Sequence, residues 1–193
     1  KGPCGCPWAG TEEYRRRAAV NRNNVSLEAL ERTLESFRAD PGGARRTNRV
    51  EGTWNLEPGR PQFEARVRFE GGEVVLEADQ PTWQGGGGSR PGPMLYCLYG
   101  MACCYAATFA TVAATLGVEL KSLRVAAESD VDFAAVFGLH EGPIIEGVRL
   151  SVYVESDSPR DRLEEVRELA TRRCPGVYCA THAIPVRTEL HSG

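Results

Sequence analysis

Thiols are the groups in this sequence best suited to chemistry. Seven cysteines occur in 193 residues, as Cys4, Cys6, Cys97, Cys103, Cys104, Cys174 and Cys179. A thiolate can attack an electrophile, pass through a sulfenic acid to a disulfide, or bind a metal. Three of the seven lie in PMLYCLYGMACCYAATFATVAATLGVEL, two of them adjacent. On a helix, Cys97, Gly100, Met101, Cys104 and Thr108 share one face. Cys103 turns about 100° away, so it and Cys104 cannot face one pocket. Cys97 and Cys104 lie about 10 Å apart along the axis, beyond the ~7 Å between Cα atoms that a disulfide spans. Free cysteine is also among the most buried residue types, so each of the three also reads as core packing.

Cys174 differs, because it closes a helical pattern and precedes Pro175. At the end of an element it is placed to meet a partner thiol, unless it is an incidental cysteine at a helix terminus. Cys174, Cys179 and His182 form a C-x4-C-x2-H pattern that Cys4 and Cys6 can complete as metal ligands. That spacing matches no standard zinc site, and we expect no metal and no cofactor.

The elements that position these thiols follow from patterning. Residues 1–44 form an N-terminal helical extension. In NVSLEALERTLESFRADPGG, Ser26 caps a helix, Glu28 and Glu31 favour its start, and Pro41-Gly42-Gly43 stops it. Leu27, Leu30, Leu34 and Phe37 make a narrow stripe that must pack on the main domain or on a second subunit. QFEARVRFE alternates Phe63, Ala65, Val67 and Phe69 with charged residues, the pattern of a half-exposed antiparallel strand. Gly71-Gly72 turns the chain into EVVLEAD, and RVEGTW precedes both as a first strand. QGGGGSRPGP gives a flexible lead-in to the cysteine-rich run. LKSLRVAAESDVDF and EGVRLSVYVES add two strands. A helix then follows over PRDRLEEVRELATRRC, with Ser158 as cap, Pro159 as first residue and Leu163, Val166, Leu169 and Ala170 buried. HAIPVRTEL is a last short strand. The order is α+β, with antiparallel sheet and two long helices.

Between Arg90 and Glu119 there is no charged residue. Such a run can cross a bilayer, which needs about 20 apolar residues. It is rich in Ala, Gly, Cys, Thr and Tyr, lacks a basic flank, and has amphipathic strands on both sides. We therefore expect a buried helix and no membrane, with its small residues packed against another helix, in this chain or in a second copy. Hydrophobic residues make up 41% of the chain and charged ones 25%, and the net charge is −3. The basic clusters Arg15–Arg17 and Arg45, Arg46 and Arg49 lie beside acidic residues and read as solvated faces, so no nucleic-acid partner is expected. The odd, uneven cysteine count is unlike a secreted disulfide framework, and KGPCGCPW carries no signal-peptide pattern. The expectation is a cytoplasmic protein with reduced thiols.

Two motifs and the order of elements together resemble the OsmC/Ohr family, the osmotically inducible and organic hydroperoxide resistance proteins. The first is PMLYCLYGMACC, a Pro followed eleven residues later by Cys104 in an Ala-rich helix. The second is Cys174-Pro175 at the end of the later helix. The resemblance covers about residues 48–190 and implies an OsmC-like domain at 45–193. It implies an intertwined homodimer, with sheets wrapped around two central helices. It also implies a thiol peroxidase acting on organic hydroperoxides. Cys104 would be oxidised to a sulfenic acid and Cys174 would resolve it as a disulfide. A dithiol reductant, a lipoylated or thioredoxin-like protein, would reset the pair. The family pairs a Glu just after that Pro with an Arg near the reactive thiol. Here Met94 and Leu95 stand in those places. Arg60, in NLEPGRP, is the first candidate for the Arg and Arg90 the second. The missing Glu and the extra thiols Cys97, Cys103 and Cys179 leave other readings open: a protein carrying persulfide sulfur or another thiol-linked group, or one binding a metal or small ligand through its cysteines.

Overall fold

The computed structural model describes residues 21–192. Cys4, Cys6 and Arg15–Arg17 lie outside them. The described chain forms two compact units. One joins the residues up to Leu34 with those from Gly100 onward, and the other spans Glu35–Tyr99.

In the first unit, Asn23 and Asn24 take positive φ (55° and 60°), the turn that joins strands β1 (Asn21–Arg22) and β2 (Val25–Ser26) into a tight hairpin. Asparagine tolerates this conformation better than most residues. Asn23 has a second task. Its Nδ2 donates to Val118 O at 2.9 Å and its Oδ1 accepts from Leu120 N at 2.9 Å. Helix α1 (Leu27–Ala39) follows at once, and Ser26 Oγ accepts from Ala29 N at 3.2 Å, as the sequence predicted. Leu27 is buried against Ala114. The start of the apolar stripe thus finds its cover within the chain.

Helix α2 (Pro93–Thr115) is the cysteine-rich run. By length and composition it could cross a membrane. Its C-terminal half is nevertheless a core helix, with Tyr105, Phe109, Val112, Ala113 and Ala114 buried. In the N-terminal half, Leu95 and Tyr99 are exposed within the single chain. Gly117, at φ +76°, ends α2. Val118 N bonds back to Ala113 O at 2.8 Å and Gly117 N to Ala114 O at 3.2 Å, pairing carbonyls that the helix leaves open.

Strands β6 (Ser122–Val131) and β7 (Ile145–Glu155) form an antiparallel pair in register from Ser122↔Glu155 to Ser129↔Val148. Leu123 and Val125 of β6, with Leu150, Val152 and Val154 of β7, pack on the cluster around Phe109 and Val166. Between the strands sits one short helical turn, α3 (Phe133–Val136). Asp132 caps it, accepting from Ala134 N at 2.9 Å and Ala135 N at 3.2 Å. Those bonds, with His140 beside it, hold its carboxyl below the usual range.

Helix α4 (Arg160–Arg173) buries Val166 and Ala170. The expected Ser158 cap is absent, because Pro159 takes the cap position without a side-chain bond. The neighbouring hydroxyl, Ser156 Oγ, instead donates to Glu119 O at 2.6 Å and accepts from Ser158 N. Helix α5 (Pro175–Thr181) starts directly after Cys174. The expected last strand does not form within the chain. Residues 183–192 carry no regular secondary structure and are exposed, and no strand pairs with them among the described residues.

The second unit is an antiparallel sheet of β3 (Gly52–Trp54), β4 (Phe63–Phe69) and β5 (Gly72–Ala78), in that order. The alternation holds. Phe63, Ala65 and Val67 share a face with their partners Ala78, Leu76 and Val74. Arg66 and Arg68, on the other face, pair with Glu73. The glycine-rich segment expected to be flexible is instead tied down. Asp79, 2% exposed, accepts from Gly87 N at 3.2 Å, from Ser89 N at 2.9 Å and from Ser89 Oγ at 2.8 Å. A Cβ on Gly86 would lie 2.0 Å from Gln80 O, so the close approach requires glycine. The architecture is the expected α+β with antiparallel sheets.

Candidate active site

Cys174 owes its place to the proline that follows it. A residue before proline is driven out of the α region, and Cys174 sits at φ −74°, ψ 118°, ending α4 and opening α5. Its N–H still donates to Ala170 O at 2.9 Å, so the break is fixed as the outgoing end of α4. The side chain is fully buried in the cluster with Val166 and Ala170.

Cys104 reaches the same point from α2. The next residue, Tyr105, aligns the helices: its hydroxyl lies 3.4 Å from Arg167 O and 3.2 Å from Thr171 Oγ1 on α4. One result is that Cys174 Sγ stands 3.7 Å from Cys104 Sγ. A disulfide needs about 2.05 Å between sulfurs, so these are two thiols in contact. Of the sequence candidates, the structure brings this pair together.

The neighbours of Cys104 act on its ionisation in opposite directions. Burial pushes the thiol above its ordinary value, and the adjacent Cys174 and Cys103 sulfurs push it the same way. The Gly176 backbone N–H, directed at the sulfur, acts against them. Gly176 was not singled out from the sequence. The local signal is only a glycine two residues after Cys174, just past the end of the helical pattern.

Cys103 departs from the expectation of core packing. It is exposed and its thiol lies 3.3 Å from Gly100 O. Cys97 and Cys179 are exposed too. Near Cys179, Tyr178 and His182 stack with ring centroids 3.9 Å apart. Among the described residues, no three His, Cys, Asp or Glu side chains gather as a metal site.

Arg60 belongs to the other unit, where its guanidinium lies 3.6 Å from Glu57 and 3.9 Å from Glu64. Arg90 pairs with Glu77 at 2.6 Å and donates to Ser89 O. Each candidate arginine thus has carboxylate partners from elsewhere than positions 94 and 95.

With this geometry in place, comparison with known proteins gives a consistent picture. The family model described as OsmC-like protein matches residues 86–189. An OsmC-like protein from Mycoplasma pneumoniae superposes with a TM-score of 0.53 at 16% identity, covering 69% of this chain and 86% of that one. An organic hydroperoxide resistance protein OsmC from Legionella pneumophila superposes with a TM-score of 0.52 at 17% identity, covering 71% and 92%. At these identities the structural likeness concerns the fold. No curated protein matches the sequence.

Proposed function

The chain belongs to the OsmC-like protein family, and from that premise we propose that it is a thiol-dependent peroxidase of organic hydroperoxides. The observation that carries this reading is the 3.7 Å contact between Cys104 and Cys174. In the first step the Cys104 thiolate attacks the distal peroxide oxygen. The O–O bond breaks, leaving Cys104 as a sulfenic acid and an alkoxide that takes a proton to become the alcohol. Cys174 then attacks that sulfur, forming the disulfide and releasing water. An external dithiol, lipoylated or thioredoxin-like, exchanges with the disulfide and is itself oxidised. The apolar cluster against which Cys104 packs favours an alkyl peroxide, whose tail gains by leaving water. Arg60, with Arg90 as the alternative, is the cation assigned to the thiolate. The same reading places the protein in the cytoplasm as a homodimer.

A second reading has its own support. Burial raises Cys104, which disfavours the thiolate at neutral pH, and neither Met94 nor Leu95 is a carboxylate. In this reading Cys104 takes the outer sulfur of a persulfide donor, becoming a persulfide while the donor leaves as a thiol. One experiment separates the two. Reduced protein is treated with one equivalent of cumene hydroperoxide, its free thiols are alkylated, and the sites are mapped by mass. A rapid, stoichiometric Cys104–Cys174 disulfide supports the peroxidase. Thiols that all stay free overturn it.

A further inference from the structure

Gly176 is the residue that lies over the reacting thiol. A Cβ built on it would stand 3.5 Å from Cys104 Cβ, 3.6 Å from Met101 Cα and 3.7 Å from Cys104 Sγ. Its conformation does not call for glycine. Gly176 lies in α5 and its φ is not among the positive values in the chain. Within a helix, alanine is the more stable choice. The ordinary reason for a glycine is therefore missing, and what remains is the space its side chain would fill.

That space borders the sulfur. A methyl group at 3.7 Å would already touch Sγ, and an atom newly bonded to sulfur on that side would be pressed into it. Cys174 Sγ covers another side of Cys104 at 3.7 Å, and the body of α2 lies behind it. We propose that Gly176 is a specificity-determining residue of the thiol site: its missing side chain keeps open the side of Cys104 Sγ on which a reagent arrives, and the width of that opening sets which reagents the thiol accepts. The inference rests on Cys104 as the reacting thiol, and deepens that reading by assigning the selection among reagents to one position.

The test uses the full chain with Cys104 as its only cysteine, the other six replaced by serine, with and without Gly176→Ala. The new methyl meets its neighbours at ordinary contact distances, so the thermal midpoint should not fall. Because alanine keeps the N–H, the pH midpoint of alkylation should also stay in place. The rate with the small reagent iodoacetamide should fall modestly. The rate with the bulkier N-ethylmaleimide should fall further, by on the order of tenfold, the scale at which one methyl group discriminates in a confined site. Equal slowing of both reagents, no slowing, or a shifted pH midpoint would each overturn the proposal. The result does not depend on peroxide chemistry. If the wild-type chain forms no disulfide with any hydroperoxide, the peroxidase reading fails, while the alkylation ratio still decides the role of Gly176. If it does form one, Gly176→Ala in the wild-type chain should shift preference from cumene hydroperoxide toward hydrogen peroxide.

Discussion

Cys104 and Cys174, seventy positions apart in sequence, hold their sulfurs 3.7 Å from each other where the middle of α2 meets the break between α4 and α5. Each is placed by a feature outside itself: Cys104 by the Tyr105 clamp onto α4, and Cys174 by Pro175. Because the contact is already made, oxidation of either thiol should be captured by the other.

Replacing the two cysteines one at a time should therefore give different products. Cys104→Ser should abolish peroxide consumption. Cys174→Ser should leave a Cys104 sulfenic acid that persists and can be trapped with a dimedone reagent. Cys103→Ser should keep most of the activity, since Cys103 is exposed on another side of α2. Equal loss in Cys103→Ser and Cys104→Ser would contradict the assignment.

The raised Cys104 thiol predicts a pH profile. Its reaction with iodoacetamide should rise about tenfold per pH unit below its pKa, because only the thiolate attacks. The curve should level off at a higher pH than in the same protein unfolded in guanidinium. Folding favours the protonated form, so this contribution to stability is fully present below the ordinary thiol pKa and disappears as pH rises through the raised one. A plateau near neutral pH would show that a cation beside Cys104 outweighs its burial.

Asp79 should behave in the opposite way. Hydrogen bonds from Ser89, then from Gly87, lower its carboxyl, so its contribution is present above the ordinary carboxyl pKa and lost as pH falls through the lowered one. Asp79→Asn should reduce the thermal midpoint by a few degrees at pH 7, and the gap should narrow in acid. Melting curves at pH 7 and pH 3.5 would check this, and a gap that widened in acid would contradict it.

Asn23 offers a test remote from the thiols. Asn23→Ala removes two hydrogen bonds to the segment after α2 and places alanine at φ +55°. Leaving Val118 O and Leu120 N without partners should cost about 1–3 kcal/mol, measurable by urea unfolding. Asn23→Gly, which relieves only the backbone strain, should recover a minor part.

The sequence was most informative where one physical preference governed a segment. Alternation at Phe63, Ala65, Val67 and Phe69 defined β4, and the Ser26 hydroxyl marked the start of α1. It misled where a choice depended on partners far along the chain. Nothing local to Ser158 shows that the hydroxyl two residues earlier would be drawn to Glu119. The four glycines at 85–88 look flexible until Asp79 collects the N–H of Gly87 and Ser89. HAIPVRTEL has the composition of a strand, yet a strand also needs a neighbouring edge, and within the described residues none is paired with it. At the site, the resemblance pointed to Cys104 and Cys174. Gly176 stayed hidden, because the importance of a missing side chain depends on what it would have touched.

The position of Cys174 at the corner between two helices also has a mechanical side. A bond from that corner to Cys104 would enclose about seventy residues, including all of the β6–β7 pair and all of α4. Closing a loop of that size restricts the unfolded chain by about 4 kcal/mol, a sizeable part of the stability of a typical domain. Oxidation would therefore brace the fold and reduction would slacken it, so the chain would carry its recent chemical history as resistance to unfolding.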